Sequence, residues 1–167
     1  MEPRTPPTNS VGARRFNYDL ILPVDILLTT TPDPVSAPVR TAARSDISQA
    51  MLCVKDGSVI DSTDEGAQAR NLRRFVIELG GTAYALRPAQ ALMPEQLWTV
   101  IAFARSHVGT RYTNVEAARA VLKGGTAGPR QFCSRLVAQA YREVGVQLVH
   151  DPRPTSLLWG HCGIITR

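Results

Sequence analysis

The chain has 167 residues, enough for one domain with a substantial core. Hydrophobic residues make up 44% and charged residues 20%, a balance that excludes disordered and fibrous classes and fits a soluble globular domain. The net charge of +5 comes almost wholly from arginine, and no basic run or aromatic-interleaved stretch points to nucleic acid.

Residues 1–17 are polar and rich in Pro and Arg, and read as a flexible segment ahead of a single domain over 18–167. No apolar run of signal-peptide length follows Met1, and no stretch reaches membrane-spanning length. The expectation is a cytoplasmic protein without an integral membrane segment, with signal-free secretion left open.

Residues 20–30 are apolar, and 25–30 read as a buried strand after Pro23. The prolines at 32, 34 and 38 mark a loop, and a short helix or loop follows over 39–45. Residues 48–54 and 58–61 read as a hairpin, because Asp56-Gly57 between them is a strong turn signal. Asp64-Glu65-Gly66 reads as a turn. Further strands are expected over 73–77 and 82–87, separated by the Gly80-Gly81 break. Residues 94–108 read as a helix: Pro94 opens it, Leu97, Val100, Ile101 and Ala104 share a face, and Gly109 ends it. A shorter helix is expected over 115–122. The next helix runs from 133 to 144, with Leu136, Val137, Ala140 and Val144 on one face and Gly145 at its end. Pro152 and Pro154 mark a final loop. The expected fold is α+β, an antiparallel sheet packed against about three helices.

Cys133 is the residue with the most chemical promise. In the first turn of a helix, unpaired N–H groups and the positive end of the dipole favour a thiolate. A thiolate attacks acyl carbons, and the same N–H groups can cradle an oxyanion. The plainer reading is a small buried core residue. Cys53, on the expected hairpin strand, reads as core filler. The three cysteines, Cys53, Cys133 and Cys162, are odd in number, widely spaced and without a C-x-x-C pair, which argues for a reducing compartment and against a zinc site. No metal or cofactor is expected.

The order of motifs along the chain resembles that of a known family. Gly109-Thr110-Arg111-Tyr112, then Phe132-Cys133-Ser134, then Tyr141 and Gly145, resemble the nucleophile region of NlpC-like papain-fold cysteine peptidases. Upstream, Asp25-Ile26-Leu27-Leu28, Ser48-Gln49-Ala50-Met51-Leu52 and Val59-Ile60-Asp61-Ser62 resemble that family's D-I-L, S-H-A and third-residue strands. Strands before nucleophile is the order of the circularly permuted, YiiX-like amidase branch. The match spans roughly residues 20–160, and its specificity lies in the combination of pieces that are each weak.

The resemblance implies a permuted papain-like domain with Cys133 as nucleophile, Asp61 as the group that orients the base, and Tyr112 near the oxyanion. It implies an amidase- or peptidase-like hydrolase or acyltransferase working through a Cys133 thioester on a peptide, isopeptide or lipid acyl bond. The position of the catalytic histidine is held by Gln49. Glutamine cannot take a thiol proton near neutral pH. Three explanations stand side by side: a silenced member that keeps the cleft as a binding module, a substitution made to trap a complex, or a base supplied by His107, His150 or His161. A secreted effector that modifies a host protein is a further reading, consistent with the small size.

Gln49 and Asp61 are an even number of residues apart, so paired strands could set them on one face, and the resemblance turns that face towards Cys133. The plainer readings are a solvated strand-end aspartate, a core Tyr112 with its hydroxyl at the surface, and a helix-terminal His107. Arg70, Arg73 and Arg74 read as a solvated basic cluster or an anion site. Residues 157–159 read as a docked apolar tail or the lining of an acyl groove.

Overall fold

In the computed structural model the chain is described over residues 14–30, 47, 49–55, 57–63, 66–77, 80–110, 131–148 and 162–166. The described residues include six strands: β1 (Ile26–Thr29), β2 (Gln49–Lys55), β3 (Ser58–Thr63), β4 (Gly66–Asn71), β5 (Ala83–Pro88) and β6 (Cys162–Thr166). They form one sheet in the order β4-β3-β2-β1-β5-β6, with every pairing antiparallel. Among the described residues two α-helices accompany it, α1 (Pro94–Ser106) and α2 (Gln131–Arg142), so the fold is α+β. Among the described residues no helix is long and apolar enough to cross a membrane.

Side-chain alternation divides the core in two. Ile26, Leu28, Ala50, Leu52, Ile60 and Leu86 face α1 and α2, where Val100, Ile101, Cys133, Leu136, Val137 and Tyr141 close over them. Leu27, Met51, Cys53, Val59 and Ala85 point the other way, against Phe16, Leu72 and Ile77. A central strand covered on both faces carries an unbroken apolar run, which is why β1 and β2 stand out in the sequence. The β2–β3 hairpin turns at Gly57, whose φ of 72° suits a residue without a Cβ.

The entry to β1 is a tight turn. The Asp25 N–H donates to the Leu22 carbonyl at 3.1 Å, with Pro23 and Val24 between them. Val24 carries φ 67°, a costly conformation for a β-branched side chain. It is held from both sides: its N–H donates to the Cys53 carbonyl at 2.7 Å, and its carbonyl accepts the buried Tyr141 hydroxyl from α2. Asp25, itself buried, receives two bonds of 2.8 Å from the Arg87 guanidinium and one of 2.7 Å from the Leu22 N–H.

Helix α1 begins at Pro94. The Gln96 side chain accepts the Met93 N–H at 3.0 Å and donates to the Val144 carbonyl at 3.2 Å, tying α1 to the end of α2. His107 caps the C-terminus, as expected, and Gly109 leaves the helix at φ 82°.

Several expectations need correction. The flexible segment does not reach residue 17: Arg14 exchanges backbone hydrogen bonds with Ile77, and Phe16 is buried against Phe75. Residues 1–13 lie outside the described residues. Residues 73–77 are not a strand, since the Asn71 side chain caps a 3₁₀ turn over Leu72–Arg74 and only Ile77 makes a bridge. The edge strand is β4 instead, whose Gly-Ala-Gln-Ala-Arg-Asn sequence lacks the β-branched and aromatic residues that mark strands. Helix α2 starts at Gln131, two residues ahead of the expected start at 133. Beyond the expected final loop lies β6, paired with β5. The helix expected over 115–122 and the segment over 32–45 lie outside the described residues.

Candidate functional site

Cys133 sits in the first turn of α2, 1% exposed. The apolar stripe of α2 presses it onto β2, where the Ala50 N–H donates to Sγ at 3.3 Å. Burial pushes the thiol up to about 11 from an ordinary 9.0, and the negative charge of Asp61 adds to the rise. The N–H groups of Ala50, Ser134 and Cys133 itself pull the other way without overcoming it. The thiolate expected from the helix position is therefore not the resting form. Loss of hydration opposes charge more strongly than one helix terminus favours it.

Gln49 opens β2, and its Nε2 donates to Asp61 Oδ2 across the hairpin. The Arg70 Nε on β4 lies 3.2 Å from the same oxygen. Asp61 is 0% exposed, and its Oδ1 has no hydrogen-bond partner among the described residues. Its carboxyl is raised: burial outweighs the charge of Arg70 and the bonds from its own backbone and from Gln49. Gln49 and Asp61 share one face because a register shift between Cys53 and Lys55 brings Met51 opposite Asp61. The register pairs Asp61 with Met51, so that face is the Met51 side, whereas α2 covers the Ala50 side. The thiol thus meets β2 through the backbone of the residue after Gln49, and the Gln49–Asp61 pair stands at the strand end next to it. The expectation that this face points towards Cys133 is corrected to that extent.

Gly109 and Thr110, which open the G-x-x-Y stretch, dock on β4. The Gly109 N–H donates to the Ala67 carbonyl at 2.9 Å, and the Ala67 N–H donates to the Thr110 carbonyl at 3.3 Å. Tyr112, His150 and His161 lie outside the described residues, as do residues 157–159. His107 is committed to its helix end: its ring bonds the Phe103 carbonyl at 2.8 Å and packs on the Phe103 ring. Cys53 is buried in the second cluster, as expected of core filler. Among the described residues no group of three or more His, Cys, Asp or Glu side chains converges to hold a metal ion.

Two residues matter that sequence reasoning passed over. Arg70, read as part of a solvated cluster, is the ion partner of Asp61, and only the β3–β4 pairing reveals it. Ser62 is buried with its hydroxyl unpartnered among the described residues. One step beyond the Met51–Asp61 pair, the same register sets Ser62 opposite Ala50, on the side of Cys133. Alternation along β3, which sets Ser62 on the same face as Ile60, was the signal available for it.

The arrangement therefore holds a neutral thiol under a backbone N–H, with an amide, a carboxyl and a guanidinium linked in a row beside it. The amide donates to the carboxyl and has no basic site that could take up a thiol proton at neutral pH. No family model matches the chain, and no curated protein matches it.

Proposed function

We propose that this chain is a permuted papain-like domain whose cysteine site is laid out for acyl transfer but stands without its general base. In this reading it binds an amide- or ester-type ligand at Cys133 and does not turn it over at an enzyme's rate. The observation that carries the reading is one junction. The S-Q-A strand, the V-I-D strand and the F-C-S helix meet where Ala50 N–H touches Cys133 Sγ and Gln49 holds Asp61. A histidine at position 49 would keep the Asp61 bond through one ring nitrogen and carry at the other the titrating base that glutamine lacks. Glutamine keeps only the first half of that arrangement.

The acyl-transfer step would require the thiol proton to leave as sulfur bonds the acyl carbon. With the thiol held neutral and glutamine at position 49 in place of a base, that step lacks general-base help worth about 10²–10⁴-fold. The test is Gln49→His, assayed by hydrolysis of a p-nitrophenyl acyl ester. The variant is expected to gain about 10²-fold or more in rate over the wild type, and the gain should vanish in the Gln49→His/Cys133→Ala double variant. A wild-type chain that already turns over at an enzyme's rate, with the activity lost in Cys133→Ala and unchanged in Gln49→His, would refute the reading and assign the base to another group.

A further inference from the structure

Ser62 carries a buried hydroxyl that makes no hydrogen bond among the described residues, and its side chain is 2% exposed. Leaving such a group unpaired is costly, and native proteins seldom do so without a reason. Strand geometry locates it. On β3 Ser62 alternates with Ile60, and across the β3–β4 ladder it pairs with Ala67. Ile60 and Ala67 both belong to the cluster under α1 and α2 that contains Cys133. On the other flank, one step beyond the Met51–Asp61 pair, the neighbour of Ser62 is Ala50.

The backbone of β2 directs the sulfur to that flank. The Cys53 N–H donates to the Asp25 carbonyl, and the Cys53 carbonyl accepts the Val24 N–H, so both groups face the β1 side. Backbone groups alternate along a strand, so the Ala50 N–H, three residues earlier, faces the β3 side. That N–H donates to Cys133 Sγ at 3.3 Å. The sulfur therefore lies on the flank of Ala50 that is turned to Ser62. Residues paired in this way have Cα atoms about 5.5 Å apart, so hydroxyl and sulfur border one gap between the strands.

A neutral thiol offers a hydroxyl little, because its sulfur is a weak acceptor. A thiolate carries a full charge, and hydrogen bonds to charged acceptors are roughly twice as strong as neutral ones. The bonds that favour the thiolate in the resting protein come from the N–H groups of Ala50, Ser134 and Cys133, and Ser62 is not among them. A serine hydroxyl has three staggered positions about its Cα–Cβ bond, so a donor turned away from a neutral sulfur can turn to a charged one.

We propose that Ser62 is a reserve donor to Cys133: its O–H turns to Sγ when the thiol loses its proton and holds the sulfur in the form that attacks an acyl carbon. Ser62 keeps its own proton throughout, and the thiol proton leaves to a base or to solvent. The role rests on the reading of Cys133 as a nucleophile, and it adds to that site a side-chain donor beside the backbone ones. Asp61 is the charged group that acts on Sγ among the described residues; its side chain lies on the other face of β3, where a change at Ser62 leaves it in place.

The test is the pH titration of Cys133 in the full chain, read from the Cβ chemical shift of isotopically labelled cysteine. This signal reports ionisation whether or not a reagent reaches the sulfur. With the thiol at about 11, roughly a tenth is ionised at pH ~10. Ser62→Ala should lower that fraction about tenfold. Cys53, in the other cluster, should titrate as in the wild type. Because the hydroxyl has no partner while the thiol is neutral, the variant should melt no lower than the wild type at pH ~7. An unchanged Cys133 titration would overturn the proposal. So would a change that Cys53 shares equally, which would report a loosened fold instead of a lost donor. The measurement needs neither a base nor an acyl ligand, so its failure and a failure of Gln49→His to gain activity are separate results.

Discussion

Alkylation of Cys133 across pH gives the sharpest test of its environment. Burial places the thiol at about 11 against an ordinary 9.0. At pH 8 the thiolate fraction is then about 10⁻³, where an ordinary cysteine has about 10⁻¹, so the reactive form is about a hundredfold scarcer. The perturbation is pH itself, from about 7 to 10, and the assay is iodoacetamide labelling followed by peptide mass mapping, which separates Cys133 from Cys53 and Cys162. The logarithm of the labelling rate should climb about one unit per pH unit through the whole range without a plateau. At pH 8 the rate should be at least about a hundredfold below that of a cysteine peptide, since restricted access can only lower it further. Gln49→His should lift the rate near pH 7 and introduce an inflection close to the imidazole range of about 6–7. A plateau below pH 8 in the wild type would refute the reasoning, because it would show that some group ionises the thiol against the cost of burial. His161→Ala then tells whether that group is His161: loss of the plateau assigns it, and persistence excludes it.

The same shift has a consequence for stability. A thiol whose folded value lies above its unfolded one contributes stability that is fully present below about 9 and is lost as pH rises towards about 11. The loss is roughly 2–3 kcal/mol for two units, and urea melts of Cys133→Ala should lack that part of the alkaline decline even though the variant starts from a lower value. Tyr141→Phe removes the hydroxyl that holds the Val24 carbonyl at the strained turn and leaves a buried acceptor unpaired. It should cost about 1–3 kcal/mol in urea melts; a loss below ~0.5 kcal/mol would show that the turn does not need this bond.

The parts of the fold legible in the sequence are those set by local chemistry. The Asp56-Gly57 tip and its flanking apolar runs mark the β2–β3 hairpin. Pro94, the apolar stripe and Gly109 bound α1. The even spacing of Gln49 and Asp61 allows a shared face without setting it, because the register shift between Cys53 and Lys55 decides which residues pair. The position of Cys133 in the first turn of α2 follows from the stripe of Leu136, Val137 and Ala140.

Tertiary structure decided the rest, through contacts that no local pattern encodes. β4 is a strand because β3 offers it a partner and the Thr110 stretch docks beside it, although its own residues have little preference for one. Phe16 belongs to the core because Phe75, Leu72 and Ile77 make a pocket for it far along the chain. Arg70 became the partner of Asp61 only through the β3–β4 pairing. The ionisation of Cys133 turned on the same principle. A helix terminus is visible in sequence and favours a thiolate, whereas the depth of burial depends on what folds over the site. Here α2 lies flat on β2, water is excluded from Sγ, and desolvation outweighs the helix.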